Sequence, residues 1–249
     1  MEKCLPFISS QFLATGAQPG SSEPDLPRLA VTISRQSGSG AHFVGQELAN
    51  YLQLHGTRDA RPWTVFDRNL VTKVLQDHNL PERLARFMPE DRTSEVADAI
   101  DELLGVHPPS WELANQTAET ILRLAEQGNV ILIGRGANLI TQKLNHVFHV
   151  RLVGSLERRV QHLMNKGMGK AAALDLIRKE DRGRKRYLRK YFDRNLDDAL
   201  MYHLVINTDF VSYAKAAQII GDALLNRSHP QPASHVQESR TTLRAQALP

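Results

Sequence analysis

The chain alternates short, almost wholly apolar runs with longer stretches in which apolar residues recur every three or four positions. The runs are Ala30–Ile33, Trp63–Phe66, Val130–Ile133, Val147–Val153 and Leu204–Ile206, rich in β-branched residues. Short runs without apolar–polar alternation mark strands that are buried on both faces. Helical spacing predicts helices over 41–54, 68–78, 92–104, 111–127, 155–166, 170–191 and 211–225. Strands separated by amphipathic helices pair in parallel, because the crossover helix returns the chain to the same end of the sheet. The expected fold is therefore α/β, with three layers: a parallel sheet of about five strands flanked by helices.

The ends of the chain lack such periods. Residues 1–28, rich in Ser, Gly, Pro and Ala from position 8 on, read as a flexible leader, and 227–249 as a polar, proline-punctuated tail. The folded domain is expected over 29–226, without internal repeats.

Ligands of open parallel sheets bind beyond the carboxyl ends of the strands. Glycines and polar residues gather there: Gly38 and Gly40 after the first run, Asp67-Arg68 after the second, Gly134-Arg135-Gly136 after the third and Asn207-Thr208-Asp209 after the last. A strand that ends in Gly-x-Gly and passes directly into a helix makes an anion site, because free amides and the helix dipole converge there. A tight strand-to-helix connection would use the same glycines. The full phosphate-loop pattern places Lys and then Ser or Thr after the last glycine; here Ala41 and His42 stand in those positions. Asp67 reads either as a helix cap or as a ligand-facing carboxylate. The Arg135 guanidinium suits bidentate capture of a phosphate, the alternative being an arginine stacked on a surface carboxylate. Helix 170–191 carries nine Lys and Arg residues, which fits a solvated face, a nucleic-acid patch or a lid of arginines.

Composition narrows this little. The 249 residues are 41% hydrophobic and 23% charged, ordinary for a soluble globular protein. A formal charge of +4 favours anionic small molecules or nucleic acid as partners. Cys4 is the single cysteine, so no intramolecular disulfide is expected, and no His, Cys and Asp spacing resembles a zinc site. No apolar run is long enough to span a bilayer and the N-terminus lacks a signal-peptide pattern, so a cytoplasmic protein without membrane contact is expected.

Taken in order, several motifs resemble the cytidylate kinase-like family of P-loop nucleoside monophosphate kinases. They are Val31-Thr32-Ile33-Ser34-Arg35 with Gly38-Ser39-Gly40, Phe66 to Val71, Ile133 to Ala137, Glu157-Arg158-Arg159-Val160, Asp181 to Tyr187 and Val205 to Thr208. The resemblance implies a P-loop NTPase-type sheet, a helical acceptor-binding insertion at about 68–127 and an Arg-rich lid at about 167–195. It implies transfer of the ATP γ-phosphoryl group to CMP or dCMP, with Mg²⁺ held mainly through the nucleotide phosphates. Arg35, Ser37, Gly38, Ser39, Gly40, Ala41 and His42 would hold the donor phosphates, with Arg35 or His42 standing in for the absent Lys. Phe43, where a hydroxyl is common, is expected to pack into the core. Asp67, Arg68 and Arg135 would hold the acceptor, and Arg135, Arg182, Arg184 and Arg186 would act in catalysis. Arg182 and Arg186, four apart, share a helix face, from which Arg184 is expected to point away. Gly183 departs from the family, whose cytidylate kinases carry a carboxylate there that contacts the acceptor sugar. The other readings are a nucleotide-binding pseudo-kinase with a degenerate loop and, third, a nucleic-acid-binding protein using helix 170–191.

Overall fold

Strand β1 (Ala30–Arg35) runs through the middle of a five-stranded sheet in which every pairing is parallel. The computed structural model describes residues 29–56, 61–67, 69–79 and 110–227. The spatial order is β2 (Thr64–Phe66), β3 (Val130–Ile133), β1, β4 (Val147–Val153) and β5 (Leu204–Asn207). All five predicted runs are strands, and their bounds move by two residues at most. Ala30 faces Val130 on one side and Val147 on the other, so the strand ends fall at one level. β1 continues beyond the last β3 pair, Ile33 with Ile133, and carries Ser34 and Arg35 out over the end of β3.

The helices are α1 (Ala41–His55), α2 (Asn69–Asp77), α3 (Ser110–Gln127), α4 (Ala137–Ile140), α5 (Leu156–Met164), α6 (Lys170–Phe192) and α7 (Tyr213–Arg227). A 3-10 turn spans Ala199–Met201. α4 and this turn went unpredicted because three or four residues are too few to show a period. The predicted helix 92–104, the leader 1–28 and residues 228–249 lie outside the described residues.

Alternation within β1 sorts the core into two layers. Val31 and Ile33 face α1 and α7, where Val44, Leu48 and Leu52 meet Ala217, Ile220 and Leu224. Ala30 faces the other way, towards Leu70 of α2, Ile121 and Leu124 of α3 and Ala137 of α4. Each fully buried Leu or Ile in these layers contributes about 1.5–3 kcal/mol.

The second face turns polar towards β5. Thr32 Oγ1 lies 2.9 Å from His149 Nδ1. Arg151, buried on β4, donates to Ser34 Oγ at 3.0 Å and to Asp197 Oδ1 at 2.7 Å. Burial, with the positive surroundings of His203 and Arg227, lowers the His149 pKa to about 4. As pH falls below 6.5, the unfolded chain gains a proton at this position that the folded chain resists. His149 therefore contributes stability that is present above pH 6.5 and is lost as pH falls towards about 4, on the order of 2–3 kcal/mol. Urea unfolding across that window should show the loss, and His149→Gln should flatten much of the slope.

Candidate active site

The turn from β1 into α1 is held by its own side chains. Gln36 N–H extends the ladder to Leu152 O at 3.0 Å, and Gln36 Oε1 accepts from Gly154 N at 2.9 Å. Ser39 Oγ donates back to Gln36 O at 2.7 Å. Gly40 has φ +83°, and a Cβ there would fall inside the ring of Tyr213, so both backbone and space require glycine. α1 starts from Gly40 with no side-chain cap, and its first intrahelical bond is Val44 N to Gly40 O, 3.0 Å. The amides of Ala41, His42 and Phe43 therefore have no acceptor within the helix and present its positive end.

The side chains expected to stand in for the missing lysine meet at one carboxylate. Arg35 Nη2 is 4.0 Å from Asp67 Oδ1, and His42 Nδ1 is 3.5 Å from Asp67 Oδ2. Arg68 lies outside the described residues. Phe43 corrects an expectation: it is 42% exposed rather than in the core. The buried face of α1 is Ala41, Val44, Gly45 and Leu48, and Phe43 falls beside it. It stacks at 6.1 Å on Tyr213, meets His162 edge-on and lies beneath Lys166 Nζ at 4.5 Å.

Helix α6 closes over the loop. Asp181 Oδ1 accepts from Ser37 N–H at 2.8 Å, and Glu180 Oε2 accepts from the Ser37 hydroxyl. Arg184 donates to Ser37 Oγ at 2.6 Å, to Asp181 Oδ1 at 3.0 Å and to Glu180 Oε2 at 2.8 Å. Arg159 of α5 donates to Ser37 O at 3.0 Å, Asp181 Oδ2 at 2.7 Å and Gly154 O at 3.0 Å. Two guanidiniums thus balance two carboxylates at the lip of the loop. Burial pushes the Glu180 carboxyl up, but the Ser37 hydrogen bond and the charges of Arg184 and Arg35 outweigh it and hold its pKa below the usual value.

Arg184 therefore faces the loop, away from the pair Arg182 and Arg186, of which the first is exposed and the second half-buried. Ala173, Ile177 and Leu188 form the buried side of α6, and Arg184 lies on it, seven after Ile177 and four before Leu188. Those apolar spacings are the signal that could have placed it. Arg159, Glu180 and Asp181 had no assigned role in the sequence, although adjacent arginines after a buried strand were visible at 158 and 159.

Arg135 has φ +58°, between Gly134 at +86° and Gly136 at +66°. A bulky side chain in this region costs about 1–3 kcal/mol and is held there by its surroundings. Gly134 N bonds Ile33 O at 3.0 Å, and a Cβ on Gly136 would lie 2.8 Å from the Phe192 ring. Between this turn, β1 and α6 remains a cavity of about 10 Å³, bordered by Arg35, Gly134, Gly136, Asn138 and Arg184. That is roughly the space of one water.

Among the described residues no group of three or more His, Cys, Asp or Glu could hold a metal ion, and no helix is long and apolar enough to cross a membrane.

Comparison with known proteins places the site in context. A segment of 110 residues, 44% of the chain, is 29% identical to a uronate isomerase of Corynebacterium glutamicum. That match spans 21% of the relative, about a fifth of its length. A cytidylate kinase of Methanococcus aeolicus is 24% identical over 165 residues, covering 62% of this chain and 89% of that one. Among solved structures, an uncharacterized protein from Eubacterium ventriosum superposes with a TM-score of 0.58 at 20% identity, covering 79% of this chain and 98% of the other. The family model for cytidylate kinase-like proteins matches residues 30–210, which takes in the whole sheet, the phosphate loop and α6. The chain belongs to the cytidylate kinase-like family.

Proposed function

We propose that this chain is a nucleoside monophosphate kinase that moves the γ-phosphoryl group of ATP to CMP, dCMP or a related acceptor. One observation carries the reading. Arg35, Arg184 and the glycines that flank Arg135, Gly134 and Gly136, border a single water-sized gap at the carboxyl ends of β1 and β3, beside the uncapped start of α1. Guanidiniums and a strained arginine turn gathered at one strand end suit two phosphates in line.

In the proposed reaction an oxygen of the acceptor phosphate bonds to the γ-phosphorus while the bond to the β–γ bridging oxygen breaks, and ADP leaves with that electron pair. The loop Ser37 to His42 would hold the donor phosphates through main-chain amides. Arg135 would orient the acceptor phosphate, and Arg184 and Arg35 would neutralise charge spreading over the γ-oxygens. Arg159 touches no reacting atom in this scheme and positions the loop and α6. Among the arginines first expected in catalysis, Arg182 and Arg186 could join only after a rotation of α6. The amides and guanidiniums fit a polyphosphate, which would take the place of Asp181 at Ser37 N–H. Mg²⁺ would arrive with the nucleotide and be held mainly by its phosphates and water. The domain limits 29–226, an acceptor region at about 68–127, a lid at about 167–195 and a cytoplasmic location belong to the same proposal.

A coupled assay of ADP release with each ribo- and deoxyribonucleoside monophosphate tests it. Turnover with at least one pyrimidine acceptor is expected, and ATP binding with no turnover on any acceptor would overturn it. That outcome is what the second reading, a pseudo-kinase, requires, and Ala41 in the lysine position favours it. Ala41→Lys should raise turnover about tenfold or more if the loop holds ATP in the usual pose. Nucleic-acid binding has less support, because Arg184 of the basic helix is buried and Lys185 is bonded to Asp197 at 2.7 Å.

A further inference from the structure

A second cavity opens at the opposite end of the sheet from the phosphate loop, between α4, the start of β4 and the 3-10 turn. Its volume is about 390 Å³, within the range of small-molecule sites. Leu139 and Val147 contribute apolar wall, and the polar lining is dominated by donors: Asn138, His149, His203, Arg194 and Arg227. Asp198 is the carboxylate among the lining residues, and its Oδ1 already accepts from Leu200 N–H at 3.0 Å. Two guanidiniums against one carboxylate leave the cavity positive.

The histidines add directed donors. His203 Nδ1 accepts from the backbone N–H of His149 at 2.8 Å, so its neutral ring carries the proton on Nε2. The ring is fixed by stacking 5.0 Å from Phe148 and 5.0 Å from His149. Both rings stay neutral because burial, followed by nearby positive charge including Arg227, lowers their pKa values. Asn138 is 5% exposed, and its Nδ2 is a buried donor without a hydrogen-bond partner among the described residues. It borders this cavity as well as the gap beneath α6. Arg194 is exposed, and Arg227 makes a long 3.4 Å bond to Val147 O and lies 5.9 Å from the centre of the Phe148 ring. A cavity of ligand size, positive, with a buried donor lacking an acceptor, is complementary to an anion.

We propose that this cavity is a second binding site, for a small organic oxyanion with an apolar body, held by Arg194 and Arg227 and by the neutral donors Asn138 and His203. The oxyanion is a phosphate monoester or a carboxylate. Four histidines permit a test on the full chain. His149 and His203 report on this cavity, while His42 and His162 lie beside the phosphate loop. With ring-¹³C-labelled histidine, inorganic phosphate and, separately, succinate are titrated at neutral pH. Saturable shifts of the His149 and His203 signals with either anion are expected, phosphate alone marking the monoester and succinate alone the carboxylate. The double variant Arg194→Gln/Arg227→Gln should weaken that response about tenfold or more and leave the His42 and His162 response as in the wild type. Should the double variant fail to fold, Arg194→Gln alone, at an exposed position, should still weaken it several-fold. No shift at His149 and His203 with either anion, or an undiminished response in the variants, overturns the proposal.

Discussion

Arg135→Ala should lower kcat/KM for the preferred acceptor by roughly 30- to 160-fold, the equivalent of about 2–3 kcal/mol for a lost charge-assisted phosphate contact. The same change should not destabilise the protein in proportion. Arg135 sits at φ +58°, a backbone conformation that an L side chain adopts only at a cost. Arg135→Gly separates the two effects. Glycine accepts the left-handed backbone freely, so unfolding free energy should hold or rise by about 1 kcal/mol while turnover falls as in the alanine variant. Steady-state kinetics and urea unfolding on the three proteins check this. Unchanged kinetics with every acceptor would remove Arg135 from the site, and a large loss of stability would give it a structural role instead.

Arg159→Ala is expected to act chiefly on stability. Arg159 is 8% exposed and joins Gly154 O, Ser37 O and Asp181, three segments of chain, through one guanidinium. Removing it leaves Asp181 paired with Arg184, which Glu180 shares. Breaking a buried pair costs about 3–5 kcal/mol, and the partial exposure of these carboxylates argues for the lower end, about 3 kcal/mol. For a chain of this length that corresponds to a fall in melting temperature of roughly 6–12 °C. Arg159→Lys should recover only part, because an ammonium cannot reproduce the fork. Asp181→Asn in the Arg159→Ala background should restore some stability, since it removes a charge left under-compensated, and the double-mutant cycle measures that coupling. A melting temperature within two degrees or so of wild type would show that the latch between loop and helix contributes little.

The sheet was legible because all five strands are dominated by apolar residues without strict alternation, and such runs bounded by turns admit few other readings. The turn from β1 into α1 was legible for a related reason: Gly38 and Gly40 follow a buried strand and precede a helix, and both have φ +83°. The orientation of α6 was recoverable from Ala173, Ile177 and Leu188, yet its charge density drew the eye to the spacing of Arg182 and Arg186 instead. Phe43 was misplaced because aromatic residues are usually buried, whereas its position on α1 lies outside the stripe set by Val44 and Leu48. The strain at Arg135 has no signature in residue type beyond its flanking glycines. The polar stripe of Thr32, Ser34, His149 and Arg151 was hidden for the opposite reason. Those residues punctuate strands whose neighbours are so apolar that the run still reads as core.

The central claim is that this chain carries a phosphoryl group from one nucleotide to another. The most direct measurement follows the label of [γ-³³P]ATP incubated with CMP and the other nucleoside monophosphates. Label in the β-position of a nucleoside diphosphate, lost in Arg135→Ala, is the predicted result. Label that stays on ATP or appears only as inorganic phosphate, with every acceptor, would contradict it.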